Sequence, residues 1–145
     1  MAVATHVSRV SKEYAPHGFS VMEDLNLRLT NSVAPATGNE VVAYVEDADI
    51  YIETAQLCIT AGAGDGSNTA AFSLVYGDND GSFSNPVTVV AAVQSSTMAN
   101  NAANNLTVAV PVVPLNKVLR VTWSAETGTV AVLQMVLKLR IRRKA

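Results

Sequence analysis

Few side chains in this 145-residue sequence can do chemistry: two histidines, one cysteine and several close carboxylates. His6 and His17 stand eleven residues apart, a spacing that matches no zinc pattern, and a single cysteine cannot complete a ligand set. Cys58 has no cysteine partner in the chain and lies in an apolar strand pattern, where a buried structural thiol is expected rather than a reactive one. The best metal candidate is the turn Asp78-Asn79-Asp80-Gly81. The carboxylates of Asp78 and Asp80 could wrap a calcium ion, but no further acid follows in the loop. Asp and Asn before Gly are also what a hairpin turn prefers, and that reading is favoured, with no metal and no cofactor. Gly62, Gly64 and Gly66 suggest a phosphate-cradling loop, yet a strand with Phe72 follows instead of a helix, and no lysine is present. No nucleophile, base and orienting group can be assembled, so an enzyme is not expected.

The elements around these residues belong to one domain of ordinary size. Hydrophobic residues make up 49%, so the chain has the material for a core. Charged residues make up 15%, against roughly 25% in a typical soluble domain. Their placement is uneven. Residues 1–12 are net positive, 13–80 hold eleven acids against Arg28, and 117–145 hold seven bases against Glu126. The 36 residues 81–116 carry no Asp, Glu, Lys, Arg or His. That stretch contains polar turn residues, so it is not simply core; it is a candidate contact surface, because interface centres are depleted of charge. The N-terminus lacks a basic start followed by an apolar run, so no signal peptide is expected, and the acceptor triplet Asn105-Leu106-Thr107 then has no meaning. The apolar runs are too short for a membrane helix.

Period-two alternation dominates. Residues 1–20 have no period and read as an N-terminal arm, with the domain at 21–145. Leu25, Leu27 and Leu29 mark a first strand, and 31–39 a loop. Residues 41–45 form a second strand. In 49–60 the apolar parity switches from Ile50 and Ile52 to Leu57 and Ile59, which demands a bulge near Thr54 and Ala55. A glycine-rich turn at 61–68 precedes Phe72, Leu74 and Tyr76, and a second turn follows at 77–82. Val87, Val89, Ala91 and Val93 suggest a strand, with a short helix from Asn85-Pro86 as the alternative. Residues 94–105 read as an Asn-rich loop with one helical turn. Leu106, Val108 and Val110 read as a strand that Pro111 and Pro114 push to a sheet edge. Leu119, Val121 and Trp123, then Leu133 through Ile141, read as a β-hairpin. Its second arm, about 14 residues or roughly 45 Å, is long enough to be bent, bulged or shared between sheets. About eight strands with no helical period predict an all-β, antiparallel two-sheet sandwich, jelly-roll-like.

The basic run at 138–144 alternates with Leu139 and Ile141, so it is one polar face of a strand. Solvent, or the acidic residues 13–80 of a neighbouring copy, is the expected counterpart; no aromatic interleaves the bases, and nucleic acid is not expected. Tyr44, Tyr51, Tyr76 and Trp123 could build a sugar-stacking platform, although the alternation places Tyr76 and Trp123 in the core.

The segments VVAYVEDADIYIETAQLCITAG (41–62), AAFSLVYG (70–77) and LTVAVPVVPLNKVLRVTWSAETGTVAVLQMVLKLRIR (106–142) resemble small virion proteins of tailed bacteriophages, of the head decoration or cement type. The likeness covers roughly 41–142 and is one of texture, with no invariant motif. It implies a jelly-roll-like sandwich, often a homotrimer, seated on the major capsid protein lattice. The expectation is a structural protein of the virion, assembled in the host cytoplasm, that bridges neighbouring capsomers by adhesion. The expected contacts are Val3, Val7, Tyr14 and Phe19 of the arm, and Ser95, Met98, Asn100, Asn101 and Asn104 of the uncharged segment. The alternative is a carbohydrate-binding or fibre module, for which Tyr44 and Tyr51 would be the stacking residues.

Overall fold

A computed structural model describes residues 23–32, 38–59, 69–127 and 133–144. The expected arm at 1–20 and the glycine-rich segment 61–68 lie outside the described residues. Within them the chain is almost entirely strand: β1 (Glu23–Ser32), β2 (Gly38–Tyr44), β3 (Ile50–Ile59), β4 (Thr69–Asp78), β5 (Val87–Gln94), β6 (Ala102–Leu106), β7 (Val112–Val113), β8 (Lys117–Thr127) and β9 (Leu133–Arg143). One sheet runs β1-β9-β3-β6, with β7 also on β3; the other runs β2-β8-β4-β5, and all pairings are antiparallel. The chain crosses between the sheets at most connections, β4–β5 and β6–β7 being the exceptions, and the strand orders β1-β9-β3-β6 and β2-β8-β4-β5 are those of a jelly roll. The inner faces meet in one apolar core. Ile52, Leu57, Leu137, Leu139 and Ile141 of the first sheet pack with Phe72, Leu74, Val89, Leu119 and Val121 of the second. Tyr76 is buried and Trp123 is partly buried against this core.

The parity switch in β3 has the expected cause. Register against β9 shifts between Ile52 and Thr54, so Ile50 and Ile52 before the bulge, and Ala55, Leu57 and Ile59 after it, all face inward. The same bulge turns Cys58 outward. It is half-buried on the outer face beside Val136 and Ala103, not buried as the apolar pattern suggested.

Three further expectations are corrected. The last two long strands are not a hairpin. β8 is flanked by β2 and β4, and β9 by β1 and β3, so each is a central strand of a different sheet. Alternation and a short connection cannot distinguish a hairpin from a crossing between sheets; burial decides, because strands this apolar lose most exposed surface when flanked on both sides. For the same reason β9 stays within one sheet. Secondly, the strand expected at 106–110 lies earlier, in the Asn-rich segment. β6 completes the edge of β3 from Ala55 to Ile59; its inward face is only half-buried, through Asn104 and Leu106, so the strand shows no apolar alternation. Residues 107–111 instead cross between the sheets: the Ala109 and Val110 amides donate to the Val89 carbonyl, and the Ile52 amide donates to that of Pro111. Thirdly, the short-helix alternative after Asn85-Pro86 fails, since β5 begins at Val87. The expected helical turn is present as 3-10 helix at Ser95–Thr97.

Candidate functional site

The topology turns one stretch of sequence into one side of the molecule. β5 ends the second sheet and β6 ends the first, and 107–111 closes the gap between them. All three lie in the charge-free residues 81–116. This flank therefore presents sheet edges with no charged side chain, where natural edges commonly carry lysine or inward charges. Bulges relieve it in part, because the β4–β5 register shifts between Phe72 and Leu74 and again between Leu74 and Val75. Of the expected contact residues here, Asn100 and Asn101 are exposed. Ser95 is at 0% exposure and Met98 packs against the core, so both serve the fold. Asn104 is half-buried and committed to local structure. Its amide nitrogen donates to the carbonyls of Leu57, Ala99 and Ala102, and its oxygen accepts from the Ala99 amide. Val3, Val7, Tyr14 and Phe19 lie outside the described residues.

The acidic turn is held by its own chain. Asp78 pairs with Lys117 through one carboxylate oxygen and accepts from the Asn85 side-chain amide at 2.7 Å through the other. Lys117 and then Asn85 hold the Asp78 carboxyl below its ordinary range. Asp80 accepts from the backbone amides of Ser82 (2.9 Å) and Ser84 (3.3 Å). The Ser84 hydroxyl, then these amides, depress its carboxyl too. Both aspartates thus act as turn residues. Among the described residues no three His, Cys, Asp or Glu side chains gather in a metal-binding group, and no helix is long and apolar enough to cross a membrane.

The outer face of the first sheet is charged, and its described acids are matched to bases of the same chain. Alternation turns Lys138, Arg140 and Arg142 of β9 outward, and β9 lies between β1 and β3. Arg140 forks onto Asp24 of β1, with Nε at 2.8 Å from Oδ1 and Nη2 at 3.3 Å from Oδ2; Lys138 reaches the same carboxylate at 3.9 Å. Arg140 is the main reason the Asp24 carboxyl is depressed. Arg142 Nε meets Glu53 at 2.6 Å, and Lys144 meets Asp49 at 3.6 Å. The counterparts expected from a neighbouring copy are therefore in the same chain, because β9 is central: Asp24 of β1 stands across from Arg140, and Glu53 lies at the bulge of β3 within reach of Arg142. The basic run is not a free patch for phosphates.

The outer face of the second sheet differs. In register across it stand Asn39–Thr122–Ser73, then Val41–Arg120–Val75–Thr88, then Tyr44–Val118–Gly77. Thr122 donates to Asn39 at 2.9 Å. Arg120 is the one charged side chain in these rows. Its Cζ lies 3.5 Å from the centroid of the Phe83 ring. That ring folds back over Gly77, where a Cβ would come within 2.9 Å of it. Phe83 holds a φ of 54°, a left-handed conformation unusual for an aromatic residue. Neither Phe83 nor Arg120 is marked by sequence pattern: the arginine reads as one more solvated position, and the ring's placement depends on the turn.

Tyr44 is 45% exposed on this outer face, whereas Tyr51 lies on the outer face of the other sheet. The two tyrosines point from opposite sides of the sandwich and cannot form one stacking platform.

No protein-family model matches the chain, and no curated protein matches it. Among solved structures it is similar to a chain in a structure of infectious bursal disease virus, Gx strain, with a TM-score of 0.48 and 10% identity. The likeness covers 88% of this chain but 34% of that one, so the chain spans about a third of that protein's length. At this score and identity it carries no conclusion about ancestry or activity.

Proposed function

We propose that the chain is a structural protein of a virus particle, a decoration or cement protein that bridges neighbouring capsomers, in the manner of the tailed-phage virion proteins its sequence resembles. The observation that carries this reading is the charge-free flank formed by β5, residues 107–111 and β6. A side of a domain without charge is inexpensive to dehydrate, so it suits contact with another protein. The jelly-roll topology agrees with the reading at the level of fold, which hosts capsid and lectin domains alike. The mechanism is adhesion without catalysis. Each copy makes a modest contact, and repetition over a lattice makes the contacts add through avidity. The partner is the major capsid protein lattice, the chain acts as a homo-oligomer, a trimer on the resemblance, and its location is the virion.

The test uses virus shells that lack the chain. Adding the purified protein back should return it to the shells in a fixed ratio and raise the temperature at which they rupture. Shells that neither retain the protein nor gain stability would end the proposal.

A further inference from the structure

The internal pairing of charges leaves a remainder. Of the bases from 117 onward, Lys117, Lys138, Arg140, Arg142 and Lys144 are matched to carboxylates, and Arg143 has interactions of its own. Arg120 has no ion pair among the described residues, and its Nε is buried without a hydrogen-bond acceptor. Among the described acids three are in no ion pair, and one of them, Asp80, is occupied by the amides of its own turn, which leaves two. Glu46 and Asp47 are exposed in the loop between β2 and β3, and neither is in an ion pair among the described residues. The Val45 amide bonds to the Lys117 carbonyl, which fixes this loop to the end of the second sheet, the sheet whose outer face carries Arg120.

The ground between these charges is apolar. Val41 is 61% exposed, directly across from Arg120, and Tyr44 is 45% exposed in the next outward row. Leu115 is 42% exposed in the neighbouring connection. Among the described residues, three of the four exposed large apolar side chains thus lie near edge strand β2. Arg and Tyr among apolar neighbours are the residue types that anchor protein interfaces. The Arg120 guanidinium is also pre-positioned. It rests on a ring held in a disfavoured backbone conformation, over a glycine that alone leaves room for it. Such conformations gather at sites that hold a partner.

We propose that the outer face of the β2-β8-β4-β5 sheet binds a second copy of this chain, with Arg120 meeting Glu46 and Asp47 of that copy and Val41 and Tyr44 buried between. This deepens the reading of the protein as a self-associating particle component and rests on it for its biological setting. Charge complementarity selects the occupant: the missing carboxylates and the missing guanidinium belong to the same sequence. Each copy carries both halves, so the contact can be reciprocal in a dimer or run head to tail around a closed ring.

The test is sedimentation velocity of the purified full chain over a concentration series. The wild type should associate. Arg120→Glu should weaken association by about tenfold or more, and so should Glu46→Lys combined with Asp47→Lys. Joining all three changes should restore it, since the pair is re-formed with its signs exchanged. Val41→Lys, at an exposed position, gives the same weakening if Arg120→Glu fails to fold. A wild type that stays monomeric, a Val41→Lys or Arg120→Glu protein that associates normally, or a charge exchange that does not restore association would overturn the proposal. Shell retention is read separately. A monomeric wild type that still coats shells removes this interface and leaves the particle role; Arg120-dependent association without shell retention does the reverse.

Discussion

The outer faces of the two sheets are built by the same alternation and end in opposite states. On the first, Arg140 and Lys138 close on Asp24, and Arg142 closes on Glu53. On the second, Arg120 stands on Phe83 beside Val41, Val75 and Thr122, with no carboxylate paired to it among the described residues. The difference follows from strand order. β9 is flanked by β1, which places Asp24 across from Arg140, and by β3, whose bulge places Glu53 beside Arg142, whereas β8 is flanked by β2 and β4, whose outward residues beside Arg120 are valines. A face whose described charges are satisfied within the chain gains little by meeting another protein. A face with a cation that has no ion pair among the described residues gains by it.

Four perturbations test this difference between the two faces. The largest effect is expected at Gly77. Gly77→Ala places a Cβ against the Phe83 ring, so the ring must leave or the sheet must shift. The expected cost is about 1–3 kcal/mol in denaturant unfolding, as for other overpacked sites. A neutral Gly77→Ala would show that the ring is not held there. Next comes acid. The carboxyls of Asp24, Asp78 and Asp80 are all depressed below the ordinary 3.8. In the window just below that value the unfolded chain takes up protons that the folded chain refuses. Their stabilisation is therefore complete above the ordinary range and lost as pH falls through the depressed values. The thermal midpoint should be level from neutral pH to about 5 and then drop, and Asp24→Asn with Asp78→Asn should flatten the drop. A smaller loss is expected from Arg140→Met, which strips Asp24 of its forked partner; high salt should shrink it, because the pair is exposed. The smallest effect is expected from Arg120→Met. No ion pair among the described residues is lost and an unsatisfied nitrogen is removed, against the loss of the cation–π contact with Phe83, so stability should change by less than about 1 kcal/mol in the same unfolding assay.

Much of the fold was legible because alternation is written by burial. Leu119 and Val121, and Leu137, Leu139 and Ile141, announce strands with one buried face, and the bulge in β3 was visible as a change of parity. Which strand each would pair with was not legible. The run from Leu119 to Ile141 has the same signature whether it folds back in one sheet or crosses between two. β6 was hidden because Ala102–Leu106 lies at an edge with only Asn104 and Leu106 half-buried, and carries no apolar period to reveal it. The flank was half visible: the charge-free run could be counted, but only topology places its strands at two edges on one side. The Arg120 face was not visible, since it depends on a left-handed Phe83 and on which charges find partners elsewhere.

The most direct test of the account is retention on shells after placing charge on the flank. Ala91 of β5 and Asn105 of β6 are both exposed there, and Ala91→Glu with Asn105→Glu leaves the core untouched. The account predicts that this variant folds normally and loses shell retention by about tenfold or more, while Arg140→Met, on the charged face, is retained as the wild type is. Full retention of the flank variant, or loss confined to Arg140→Met, would contradict it.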